Sequence, residues 1–134
     1  MTATATKELI HGLKRKLSLF RYQPCALVLD GGTLLVAACD KSATGHELAA
    51  RFAEMTGDEI LAESEDNFAV HDNQVQKIRV ERHGGGSDPE FSGGPDRIIL
   101  KTAIGKQVFL FTGKGTGSPQ AKELLAARFG ARVR

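Results

Sequence analysis

At 134 residues, 41% apolar and 25% charged, the chain is the size of one domain that can bury a core without disulfide or metal staples. Two cysteines exclude a disulfide framework or a cysteine-based zinc site, and no apolar run approaches a membrane span. The net charge of +2 is unevenly placed: positions 1–24 and 73–134 are basic, and 40–72 are acidic, with nine Asp/Glu against two Lys/Arg. Mutual attraction of segments, or solvated faces, accounts for this better than a nucleic-acid footprint. One Tyr and no Trp leave little for base stacking.

The first segment, 1–20, is basic and has no signal-peptide core, which predicts a cytoplasmic protein. Leu9, Leu13 and Leu17 recur at spacing four with Ile10 beside them, fitting a short helix over 7–17 that Gly12 weakens. Its basic end, Lys14-Arg15-Lys16, suits a membrane surface. A packed helix or strand with lysines reaching to water is the plainer reading.

Residues 25–30 and 33–39 are short and apolar on both faces, and Gly31-Gly32 between them supplies a tight turn, so a buried hairpin is expected. A two-residue turn pairs Cys25 with Ala38 and sends Cys39 to the other face, predicting free, buried thiols. A helix follows over 45–55. Thr44 and Glu47 form a capping box at its start, Leu48, Phe52 and Met55 line one face, and Gly57 stops it. The stretch from Asp58 to Asp66 reads equally as more helix or as the approach to a strand.

Residues 67–71 and 74–82 flank Asp72-Asn73, which predicts a hairpin. Ile78 and Val80 alternate with Lys77, Arg79 and Glu81, as in a strand wet on one face. Five glycines and two prolines make 83–95 a flexible loop. Another hairpin, 97–103 and 106–111, is expected to turn at Ile104-Gly105. The run from Val108 to Phe111 implies a strand buried on both faces, one of them covered by a helix or another subunit. The chain closes with a helix over 119–129, capped by Ser118, striped by Ala121, Leu124, Leu125 and Phe129, and ended by Gly130.

Chemistry is sparse. The segment 112–119 leads three glycines and a lysine into a helix N-terminus, where an anion can be held by Lys114, Gly115, Thr116, Gly117 and Ser118. Lys114 stands four positions before Ser118, so the phosphate-loop motif is not met, and a plain connection into a capped helix competes with the anion reading. His11, His46, His71 and His83 have no metal-ligand spacing with one another or with a cysteine. Glu59, Glu63, Glu65 and Asp66 lie in a polar run that reads as a solvated face. Ser42, Ser64, Ser87 and Ser92 lack a nucleophile elbow. No catalytic set, cofactor or metal is therefore expected.

The order of elements resembles that of bacterial and archaeal pleckstrin-homology-like (PH-like, or GRAM-like) domains. The likeness is carried by MTGDEILAESEDNFAVHDNQVQKIRVER (55–82), DRIILKTAIGKQVFLF (96–111) and KELLAARFG (122–130), with CALVLDGGTLLVAA (25–38) as the opening hairpin. It implies an α+β fold: a strongly bent antiparallel sheet of six to seven strands, closed by the C-terminal helix, with a helical insertion after the first hairpin. It implies a non-enzymatic interaction module for a protein or surface partner; separately, the basic N-terminal segment allows a membrane surface, and the apolar run Val108–Phe111 allows a homo-oligomer. Better-known members bind phosphoinositides through basic residues of the first hairpin loop. Asp30-Gly31-Gly32-Thr33, matched to that loop, has no Lys or Arg, so no lipid-binding residue carries over. A small anionic-ligand binder using 112–119 is the alternative.

Overall fold

The computed structural model describes residues 7–18, 20–39, 44–82, 96–113 and 115–134. The chain is α+β, with one seven-stranded antiparallel sheet among the described residues. Its strands are β1 (Glu8–Ser18), β2 (Arg21–Asp30), β3 (Thr33–Ala38), β4 (Phe68–His71), β5 (Val75–Glu81), β6 (Arg97–Thr102) and β7 (Gly105–Phe111). The helices are α1 (Gly45–Ala53), α2 (Gly57–Ala62) and α3 (Ser118–Phe129). The expected flexible loop 83–95 lies outside the described residues, as does Lys114.

The first segment is a strand, not a helix. A leucine spacing of four is even, so it suits a strand as well as a helix. Gly12, at φ 75°, makes a bulge between Ile10 and Leu13 in the pairing with β2. The bulge resets the alternation, so Ile10 and Leu13 both reach the inner core while Leu9 packs on the opposite side. The opening hairpin is consequently β1–β2, whose last pair is Ser18 with Arg21, and the glycine turn at 31–32 belongs to the second pairing. That second pairing has the expected register, Cys25 opposite Ala38, and the cysteines form no disulfide. Cys39 is only partly buried, contrary to expectation, because it lies just past the last paired residue of β3.

The strand order is β4-β3-β2-β1-β7-β6-β5. It overturns the hairpin expected at Asp72-Asn73: β4 pairs with β3, β5 pairs with β6, and the two strands stand at opposite ends of the sheet. No described non-glycine residue has positive φ, so the backbone makes a 3-10 turn over Asp72–Gln74 instead of a two-residue hairpin turn. From His71 to Val75 the chain can span at most about 14 Å. In a flat sheet the two edges would stand roughly 29 Å apart, six strand spacings. The sheet therefore curls until its edges approach at this corner. The Asp72 N–H donates to the Gly32 carbonyl (2.9 Å) and the Ala103 N–H to the Gln74 carbonyl (3.1 Å), tying the corner to both halves.

The curl explains the apolar runs. Leu27, Leu29, Leu34 and Val36 face the inner core, which they share with Ile78, Leu100, Phe109 and the buried side of α3. The alternate residues Ala26, Val28, Leu35 and Ala37 face outward, where Leu48 and Phe52 of α1 and Ile60 of α2 cover them. The helical insertion is thus the lid on the outer face. Thr44 caps α1 through its hydroxyl, which accepts from the Glu47 N–H (3.1 Å). The full reciprocal box forms instead at α2, between Thr56 and Glu59 (3.2 and 3.0 Å). Gly57 opens α2 rather than ending α1, which stops at Ala53.

The remaining corrections are local. The β6–β7 turn is Ala103-Ile104, one residue earlier than expected. Thr102 fixes it by accepting from the Ile104 N–H (3.3 Å) and donating to the Gly105 carbonyl (3.1 Å). In β7 only Phe109 and Phe111 are fully buried, and Val108 and Leu110 keep partial exposure on the other face. Gly117, not Ser118, is the N-cap of α3, with Ser118 and Pro119 its first two residues. Ala121, Leu125 and Phe129 are buried as expected, and Leu124 packs on their edge.

Candidate functional site

The glycine-rich loop before α3 is sewn to the bulge of β1. The Thr116 N–H donates to the His11 carbonyl, and the Thr116 hydroxyl accepts from the His11 N–H, both at 3.1 Å. The Thr112 N–H and hydroxyl donate to the Gly12 carbonyl at 2.9 and 2.7 Å. Gly117 caps the helix, and the Ser118 hydroxyl donates to the Asp96 carboxylate. Of the five residues expected to hold an anion, Thr116 is buried and bonded to β1, and Ser118 is buried with its hydroxyl on a carboxylate. Lys114 lies outside the described residues.

Gly115 lies against the same bulge. A Cβ there would stand 2.5 Å from the His11 carbonyl oxygen and 2.7 Å from the Gly12 Cα. On the other side of the His11 ring, a Cβ at Gly45 would stand 2.2 Å from its Nε2. The imidazole is wedged between the start of α1 and the loop before α3. Gly115→Ala should therefore cost about 1–3 kcal/mol by thermal melting, because backbone atoms cannot step aside. Gly45→Ala, at a position where alanine ordinarily favours a helix, should also destabilise. His11→Ala should rescue Gly45→Ala, whose clash is with the ring, but not Gly115→Ala. Rescue of both, or of neither, would refute the wedge.

The other candidates stand in separate roles. His46 and His71 are exposed, and His83 is outside the described residues. Glu63 pairs with Arg51, Glu59 completes the α2 cap, and Asp66 accepts from the Gln23 amide (2.8 Å). Burial first, and then the neighbouring Cys39, push the Cys25 thiol up to about 12, so it stays protonated. Among the described residues, no three His, Cys, Asp or Glu side chains gather as for a metal ion, and no helix is long and apolar enough to cross a membrane.

A surface that sequence reasoning missed stands at one end of the β1–β7 pair. The register runs from Leu13 opposite Phe111 to Arg15 opposite Phe109, so the Gly105 end of β7 and the Ser18 end of β1 point the same way. The β1–β2 and β6–β7 turns thus share one rim. It carries all four exposed large apolar side chains found among the described residues: Phe20 at 87%, Ile104 at 76%, Tyr22 at 41% and Leu17 at 40%. Cations surround them. Lys16 and Arg21 are exposed, Lys14 lies over the Tyr22 ring (4.9 Å), and Lys101 faces Lys106 directly across the ladder. Arg15 is held internally, by the Gln107 amide (3.1 Å), the Asp66 carbonyl (3.3 Å) and the Phe68 ring. The signal present in the sequence was the triplet Lys14-Arg15-Lys16 followed by Leu17 and Phe20. Ile104 joins them only through the fold.

No protein-family model matches this chain, and no curated protein matches it.

Proposed function

We propose that the protein is a non-enzymatic, PH-like interaction module that docks on an anionic membrane surface through the rim formed by the β1–β2 and β6–β7 turns. The PH-like reading is supported by the curled antiparallel sheet and the C-terminal helix packed on its inner core. The docking reading rests on one observation: Phe20 and Ile104 project into solvent from tight turns, ringed by Lys16, Arg21, Lys101 and Lys106. Two like charges opposed across a β-ladder repel one another, and an anionic surface would relieve that repulsion. Burying a large apolar side chain in the interface is worth roughly 1.5–3 kcal/mol, and each cation near an anionic leaflet about 1 kcal/mol. Together they suffice for reversible attachment. Under this reading the first hairpin, matched in sequence to Asp30–Thr33, corresponds to the β1–β2 pair instead, which brings Lys16 and Arg21 to its end.

The alternative, an anion in the 112–119 loop, has weaker support, because Thr116 and Ser118 are already bonded within the protein. Co-sedimentation with vesicles tests the main reading. The chain should bind vesicles of phosphatidylcholine with phosphatidylserine, and bind pure phosphatidylcholine far less. Phe20→Ala with Ile104→Ala should weaken binding about thirtyfold or more, the equivalent of about 2 kcal/mol, with no fall in melting temperature. Equal binding by the double variant, or capture by a protein with no vesicle binding, would remove the membrane reading.

A further inference from the structure

We propose that a groove along β5 is a separate site for a phosphate-bearing ligand. The groove has a volume of about 540 Å³ and is lined by Lys77, Arg79, Val80, Glu81, Arg82 and Arg134. That volume is within the range of small-molecule sites. Four of the six side chains are cationic. Glu81, the acidic side chain among the described lining residues, is gripped by Arg97 from β6 and by Arg79 (3.3 Å). The described side chains of the lining therefore present an excess of positive charge inside a concavity, where field lines concentrate.

The backbone narrows the choice of occupant. β5 is an edge strand, and its outer edge is already paired at this point. The Val80 N–H donates to the Arg134 carbonyl (2.9 Å) and the Arg134 N–H to the Ile78 carbonyl (2.8 Å), with Ile78 bridged in parallel to Val133. An extended peptide cannot add a strand over those groups, so recognition falls to side chains. Those bonds also fix the backbone of Arg134 at the groove wall. Three of the four cations are arginines, whose planar forks match phosphate oxygens in pairs. Among the described residues no aromatic side chain lines the groove, which leaves bases without a stacking partner there and favours a phosphate over single-stranded nucleic acid. The site is also distinct from the membrane-facing rim. Glu81 is opposite Arg97, at the end of β6 away from the Ala103-Ile104 turn.

Inorganic tripolyphosphate is the probe, followed by amide NMR shifts and calorimetry at low salt. Shifts should concentrate at residues 77–82 and 134. Arg79→Ala with Arg82→Ala, both exposed positions, should weaken binding about tenfold or more and leave the melting temperature in place. Lys16→Ala with Arg21→Ala, on the rim, should leave it unchanged. Shifts centred on 16–22 and 101–106, or equal affinity in the groove variant, would overturn the site. A second comparison separates a free phosphate from a lipid headgroup. Tripolyphosphate and vesicles carrying a phosphorylated headgroup are offered to the Phe20→Ala/Ile104→Ala protein, with and without the groove substitutions. Loss of tripolyphosphate binding on removing Arg79 and Arg82 supports the site, with parallel loss of vesicle binding assigning it to a headgroup and retained vesicle behaviour assigning it to a free phosphate, and tripolyphosphate binding that is independent of these arginines overturns it.

Discussion

Leu125→Asp should leave the protein unfolded or insoluble. Leu125 is fully buried on the inward side of α3, in the same core as Ile78, Leu100 and Phe109. Removing the leucine side chain alone forfeits about 2–5 kcal/mol. A carboxylate in its place adds several kcal/mol of desolvation with no cation in the core to offset it. A domain of this size has about 5–15 kcal/mol of stability in total, so the sum reaches or exceeds what is available. Leu125→Ala is the graded control: it should fold and melt cooperatively at a lower temperature. If Leu125→Asp is soluble and melts with the wild type, α3 does not pack on the sheet as described.

The elements that were legible in the sequence are those whose signals are local. The Gly31-Gly32 turn fixes the register that sets Cys25 against Ala38, and Thr44 caps α1 because its hydroxyl reaches an N–H three residues on. The stripe Ala121, Leu125 and Phe129 is one face of a single helix. What stayed hidden depends on distant partners. A leucine spacing of four fits both periods, and β1 is a strand because β2 and β7 lie on either side of it. Asp72-Asn73 has the chemistry of a hairpin turn, yet β3 and β6 take the two flanking strands to opposite edges. The same holds for the candidate sites. The glycines of 112–119 signal exposed donors, but Thr116 bonds with His11, 105 positions away. The rim joins Phe20 to Ile104 through the register of β1 with β7, which no local pattern encodes.

Arg128→Met should lower stability by about 2 kcal/mol while the fold persists, a drop of roughly 8 °C in melting temperature. The Arg128 side chain is only 16% exposed, and it joins α3 to two parts of the curled sheet. Its Nε and Nη2 donate to the Asp72 carboxylate (3.1–3.3 Å) at the β4–β5 corner. Nη2 also donates to the Thr33 carbonyl (3.0 Å) and to that of Gly31, at the β2–β3 turn. Charge-assisted bonds of this kind contribute about 1.5–3 kcal/mol, and methionine keeps the apolar stem while removing the fork. The 31% exposure of Asp72 lets water reach its carboxylate, which holds the loss below that of a fully buried pair. Lysine keeps the charge but not the fork, so Arg128→Lys should recover less than half of the loss. A double-mutant cycle with Asp72→Asn should give a coupling of about 1 kcal/mol. The comparison is Arg51→Ala, which breaks the Arg51–Glu63 pair at 46% and 29% exposure and should change stability by less than about 0.5 kcal/mol. If Arg128→Met is as mild as Arg51→Ala, the corner is held by its backbone bonds alone and the arginine is a passenger.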